Sequence, residues 1–143
     1  MARVKISIPD QKIFSTSLIV TIADINYGKH LGNDKVLTLM HEARMRWIRS
    51  LGFEDETKIV NHIGIIIGDA AIEYKSEGFY GDEIEITLAK AEEHKYGFDL
   101  FYLLTRKSDN AKIAKGKTGT LFFDYDKKKL TGIPESFTEA LKP

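Results

Sequence analysis

Residues 33 to 52 carry the one long helix pattern in the chain, and that feature limits the fold more than any other. Val36, Met40, Ala43, Trp47 and Leu51 recur at helical spacing, Asn33 or Asp34 suits the N-cap, and Gly52 suits the position just past the C-terminus. At about 100° per residue, Leu37, Leu39 and Ile48 widen the apolar arc, leaving Lys35, Thr38, Glu42, Arg46 and Arg49 as a narrow polar strip. The pattern predicts a helix buried on most of its circumference. Arg44 falls inside the arc and needs a hydrogen-bonded acceptor, which Asp24 or a backbone carbonyl would supply. His41 lies at the margin of the arc, and Glu42 points the other way.

The remaining pattern is strand. Residues 12 to 22 are rich in β-branched and aromatic types and run into Asp24 and Asn26, after an opening ten residues that read as a loose arm. Residues 63 to 75 form a second strand, with Gly64 and Gly68 marking a bend or close backbone approach. Residues 83 to 90 alternate apolar and polar, as a strand with one buried face does. Residues 96 to 106 and 111 to 124 are long strands joined through Ser108-Asp109-Asn110, and Pro134 opens a short helix or tail. One helix followed by four successive strands predicts an α+β domain whose antiparallel five-stranded sheet curls round one central helix. A doubly wound parallel sheet would need more helices.

At 143 residues the chain fits one domain, 1–143, with a core that needs no staples. Lysine plus arginine and aspartate plus glutamate number 21 each, so no global field draws the protein to nucleic acid or an anionic membrane. The absence of cysteine rules out disulfides, thiolate nucleophiles and iron–sulfur ligation. Without a signal-like apolar run, or a membrane span of roughly 20 apolar residues, the expectation is a cytoplasmic protein with no membrane insertion. Sharper motifs fail. His41-Glu42-Ala43-Arg44-Met45 begins like the zinc motif H-E-x-x-H, but Met45 replaces the second histidine, so no metal is expected. Gly116-Lys117-Thr118 lacks the leading glycine of a P-loop, and no G-x-S-x-G elbow exists.

The stretch DINYGKHLGND and the helix after it resemble the hot-dog fold thioesterases of the 4-hydroxybenzoyl-CoA thioesterase type, whose pattern is D-x-D-x-x-G-H-V-N-N leading into E-x-A-R. In register on His30, the pattern's aspartates meet Asp24 and Asn26, its asparagines Gly32 and Asn33, its helix glutamate His41 and its arginine Arg44. A second block from Ile72 to Ile86 resembles Y-x-x-P-x-x-x-G-D through Tyr74, Gly81 and Asp82, with Glu77 in the place of proline. Lys29 replaces the glycine before His30, and Asn26 replaces the carboxylate that serves as base or nucleophile.

The resemblance implies a metal-independent hydrolase of acyl-CoA or a related thioester, with coenzyme A thioester as substrate and no separate cofactor. It implies a homodimer or tetramer with its site between subunits, the loop of one chain near the helix of the other. The candidate catalytic residues are Asp24, Asn26, His30, His41 and Glu42. Asp24, two residues before Asn26 on the expected strand, is the first choice of base; His41 is second, since imidazole's ordinary pKa of about 6.5 suits proton transfer, and Glu42 third. Tyr27, Gly32, Asn33 and Asp34 form the expected substrate-binding set, the free N–H groups of the helix start suiting an oxyanion. Asp24, Asn26 and Asn33 also fit plain turn and cap roles. The rival functions are an acyl-CoA binding protein without catalysis, a hot-dog dehydratase or hydratase of 3-hydroxyacyl thioesters, and an interaction protein.

Overall fold

The computed structural model describes residues 2–143. Its strands are β1 (Lys12–Ile19), β2 (Ile63–Tyr74), β3 (Glu83–His94), β4 (Gly97–Arg106), β5 (Lys112–Asp124) and the short β6 (Lys129–Leu130); its helices are α1 (Asn33–Ser50) and α2 (Glu135–Ala140). The sheet runs β1-β3-β4-β5-β2, every pair antiparallel, with β6 added to β5. α1 packs on β1, β3 and β5. This is the hot-dog fold: a curled antiparallel sheet around one long helix, with β1 and β2 as its two edges.

The alternation in the strands decides which face meets the helix. Ile84, Ile86 and Leu88 of β3, Phe98, Leu100, Tyr102 and Leu104 of β4, and Ala114, Thr118 and Phe122 of β5 are fully buried. They close over a helical stripe of Val36, Leu39, Met40, Ala43, Arg44, Trp47 and Ile48. Gly116 lets the sheet lie directly on the helix, since a Cβ there would sit 2.5 Å from Met40 Cε. Near the helix C-terminus, α2 inserts Phe137 among Trp47, Phe98 and Phe122 at ring-centroid distances of 5.9, 5.9 and 5.1 Å. Gly52 ends α1 with φ 98°, as its position past the last apolar residue predicts.

Several expectations change. β1 stops at Ile19, and Ile22–Asp24 form a 3₁₀ turn, because the Asp24 carboxylate reaches back to the Thr21 N–H at 2.8 Å and closes a capping box. Asp24 and Asn26 therefore do not share a strand face. The N-cap of α1 is Gly32 rather than an Asx residue. β3 continues past a bulge between Lys90 and Glu93 to His94. The opening arm is held: Ile6 is buried, its N–H donates to Glu73 Oε1 at 3.1 Å and its carbonyl accepts from Lys115 Nζ at 3.4 Å. One flank of the helix stays open, with Leu37 43 % exposed, because one sheet covers only the face opposite that flank.

Candidate active site

The loop between β1 and α1 is built from short-range hydrogen bonds. Asn26 Oδ1 accepts the N–H groups of Gly28 (2.9 Å) and His30 (3.2 Å), while the Asn26 N–H donates to the His30 carbonyl at 2.8 Å. The tight turn puts Lys29 at φ 67°, a region that favours glycine and asparagine. Tyr27 projects wholly into solvent. The Gly32 N–H donates to the Asp24 carbonyl at 2.9 Å, and no side chain caps the helix start that Gly32, Asn33 and Asp34 form. That leaves first-turn N–H groups free for an acceptor from outside.

The second sequence block is the β2–β3 turn, and it props this loop. Leu31 N–H donates to the Gly78 carbonyl at 2.8 Å, and Gly81 N–H to the Val20 carbonyl at 2.9 Å. Gly81 has φ 85°, and Asp82 Oδ2 accepts from the Phe79 N–H (2.9 Å) and Arg106 Nη1 (3.1 Å). The His30 ring packs on Phe79 at 5.5 Å, with Nδ1 3.1 Å from Glu77 Oε2 but out of line for a hydrogen bond. Tyr74 donates its hydroxyl to the Asn33 carbonyl at 2.8 Å; burial, then the charge of Asp34, pushes its pKa up. A shallow cleft of about 280 Å³ runs between His30, Asn33, Tyr74 and Glu77.

A larger cavity, about 420 Å³, lies on the open flank of α1 against β2 and β5. Leu37, Ile67 and Ala70 give it apolar walls; His41, Arg44, Glu56 and Thr118 give it a polar floor. Arg44, 4 % exposed, donates from Nε to Glu56 Oε1 at 2.7 Å and from Nη1 to the Tyr102 hydroxyl at 3.0 Å. The Tyr102 hydroxyl meets Thr118 Oγ1 at 2.8 Å. His41 Nε2 stands 3.4 Å from the same Glu56 oxygen, with the ring 56 % exposed. Burial alone would lower the pKa of Arg44, but the electrostatic and hydrogen-bonding pull of the Tyr102 hydroxyl and the Glu56 carboxylate outweighs it and raises the value. Burial raises that of Tyr102, so it is a neutral phenol and Glu56 is the anion that answers the guanidinium.

Glu56 reaches the cavity floor because the linker after α1 lies tightly along β2. Ile65 N–H donates to the Glu56 carbonyl at 2.7 Å, and a Cβ at Gly64 would meet that carbonyl and Thr57 Cα at 2.8 Å. The close approach expected of Gly64 is the contact that seats the linker.

The site residues read from the sequence thus fall into separate places. Asp24, Asn26, Tyr27, His30, Gly32, Asn33 and Asp34 gather at the loop and helix start. His41 sits one helical flank away, at the cavity. Glu42 faces outward and pairs with Arg46 at 2.9 Å, and Arg46 in turn donates to Thr16 Oγ1 (2.8 Å) and the Ser17 carbonyl (3.0 Å). Arg44 takes neither Asp24 nor a backbone carbonyl but Glu56 and Tyr102. Sequence reasoning missed Glu56, Tyr102 and Thr118. The signal for them was the acceptor that Arg44 demanded, with Glu54-Asp55-Glu56 the nearest acidic cluster downstream. Among the described residues, no three His, Cys, Asp or Glu side chains converge as metal ligands would, and no helix is long and apolar enough to cross a membrane.

The family model described as the thioesterase-like superfamily matches residues 20–141. Among solved structures, a 1,4-dihydroxy-2-naphthoyl-CoA thioesterase from Synechocystis superposes with a TM-score of 0.82 at 18% identity, over 90% of this chain and 94% of that one. A gentisyl-coenzyme A thioesterase gives 0.79 at 20% identity, over 90% and 100%. A protein from Staphylococcus aureus in complex with CoA gives 0.82 at 18% identity, over 96% and 85%. No curated protein matches the chain.

Proposed function

The chain belongs to the thioesterase-like superfamily, and from that premise we propose that it hydrolyses an acyl-CoA thioester without metal, at a site completed between two copies of the chain. The observation that carries this reading is the cavity on the open flank of α1, which has an imidazole in its wall and apolar surface enough for an acyl group. His41 is the base. Its ring has no hydrogen-bond or ion-pair partner besides Glu56 among the described residues. Of the other candidates, Asp24 Oδ2 is committed to the Thr21 N–H and hydroxyl and Glu42 to Arg46, the Asn26 amide cannot accept a proton at neutral pH, and His30, beside Glu77, lines the separate shallow cleft rather than this cavity.

His41 takes a proton from water as the water oxygen bonds to the thioester carbonyl carbon. The free N–H groups at the start of α1 in the second copy, beside its Gly32, hold the oxyanion that forms, since within one chain Asn33 and His41 lie about 12 Å apart along the helix. Collapse of the tetrahedral intermediate breaks the C–S bond, and the departing thiolate takes the proton from the imidazolium, leaving a carboxylic acid and coenzyme A.

Two features support assembly through β2. Beyond Ile65, the outer edge of β2 makes no backbone hydrogen bond among the described residues. The opposite edge, β1, is guarded by the Arg46 side chain. Because Ile67 and Ala70 belong both to β2 and to the cavity wall, a second copy on that edge would complete the wall.

The test is release of free thiol from aromatic, short-chain and long-chain acyl-CoAs, with a chelator present and absent. Hydrolysis is expected, indifferent to chelator, and His41→Ala should lower kcat by about 10² to 10⁴-fold, the range for a lost general base. No thiol release from any substrate would overturn the reading; full activity in His41→Ala would move the base elsewhere.

A further inference from the structure

Glu56 serves two neighbours at once. Its Oε1 accepts from Arg44 Nε at 2.7 Å on one side and stands 3.4 Å from His41 Nε2 on the other. Neutralising a buried guanidinium would by itself account for the first contact. It does not account for the second, on the exposed imidazole that lines the cavity. The carboxylate is also immobile: Arg44 grips its oxygen, the Ile65 N–H holds its carbonyl at 2.7 Å, and Gly64 leaves no gap beneath the linker. A fixed acceptor beside one ring nitrogen sets tautomer and orientation, and stabilises the imidazolium that forms when the other nitrogen takes a proton.

On the reading that this site hydrolyses thioesters, we propose that Glu56 is the positioning residue of a His41–Glu56 dyad, with Arg44 locking the carboxylate toward the imidazole. Glu56 faces Nε2 across 3.4 Å, a contact that a small rotation of the half-exposed ring turns into an Nε2–H···Oε1 hydrogen bond, and that leaves Nδ1 to receive the proton of water. The charged groups that line the cavity with His41 are Arg44 of its own helix and Glu56 of the linker; β2 and β5 contribute only Ile67, Ala70 and Thr118. No carboxylate from the β1–α1 loop is required, which accounts for Asn26 standing where a carboxylate was expected.

The experiment compares wild type, Glu56→Gln, His41→Ala and the double variant. Glu56→Gln keeps an oxygen for Arg44 Nε and removes the charge; kcat should fall about 10- to 100-fold with KM unchanged, as for a lost orienting partner. In the His41→Ala background the same change should cost less than about twofold, because residues that act as a unit are not additive. A merely structural role would lower kcat equally in both backgrounds and overturn the proposal, as would wild-type kcat in Glu56→Gln. Should Glu56→Gln not fold, Glu56→Asp keeps the charge, withdraws it from His41, and must show the same selective loss of kcat.

A second measurement works without turnover. Carbethoxylation of His41 by diethyl pyrocarbonate, followed by peptide mass spectrometry against His30 and His62 as internal standards, should slow several-fold in Glu56→Gln or Glu56→Asp. Unchanged rates would overturn the dyad. If wild type hydrolyses no acyl-CoA yet His41 is slowed, the hydrolysis reading falls and the dyad stands.

Discussion

Asn26 spends its amide oxygen on the N–H groups of Gly28 and His30, so its chemistry goes into shaping the loop. Lys29 completes that turn at φ 67°, where the resembled family carries glycine, and Glu77 takes the place of proline while its carboxylate faces His30 at 3.1 Å. Asp124 shows the same economy at the end of β5. Its Oδ1 accepts the N–H groups of Lys127 (2.9 Å) and Asp126 (3.0 Å), and its Oδ2 lies 3.4 Å from His62 Nε2. The Lys127 hydrogen bond, helped by the charge of His62 and opposed by burial, holds its pKa below the ordinary carboxylate value. A depressed folded-state pKa means that the unfolded chain binds the proton first. The stability Asp124 contributes is therefore full above about pH 4 and lost as pH falls through the folded pKa. Asp124→Asn should lose melting temperature at neutral pH and then lose less than wild type between roughly pH 5 and pH 3; parallel acid profiles would contradict this.

α1 behaves differently on its two sides. The stripe facing the sheet is continuous apolar surface broken only by Arg44, whose demand for partners draws Glu56 and Tyr102 to one point. The flank carrying Leu37, Thr38 and His41 is left for the cavity. β2 carries two glycines that do unlike work. At Gly64 an added Cβ would strike main chain, the Glu56 carbonyl and Thr57 Cα at 2.8 Å; at Gly68 it would meet the Leu121 Cδ1 methyl at 2.7 Å. Main chain cannot step aside as a methyl can. Gly64→Ala is expected to cost about 1–3 kcal/mol by overpacking and to lower kcat as well, because the displaced segment carries Glu56. Gly68→Ala should cost less and spare turnover. Thermal melts and acyl-CoA assays on both variants check this, and equal effects would argue against the seating role of Gly64.

At the scale of the molecule, the sheet ends in one guarded edge and one open edge, and the open edge borders the cavity. Sedimentation at micromolar concentration should therefore show a dimer, and Ile67→Lys, which places a charge on an edge residue 36 % exposed in the single chain, should shift it to monomer with its secondary structure intact. A dimer that survives Ile67→Lys would place the interface elsewhere. The sequence by itself determined the helix and its end at Gly52, the strands β2, β4 and β5 nearly to the residue, the α+β antiparallel class, and the close approach at Gly64. Those features follow from periodicity and turn chemistry among residues within a dozen positions of one another. The Thr21–Asp24 capping box is local and open to sequence reading; tertiary structure alone decided that Glu56 and Tyr102 answer Arg44. It also decided that Tyr102, 58 residues after Arg44, hydrogen-bonds to its guanidinium and to Thr118, and that Thr118 lines the floor of the cavity beside His41. Partner choice for a buried charge is settled by which elements the fold stacks together, and no local spacing encodes that.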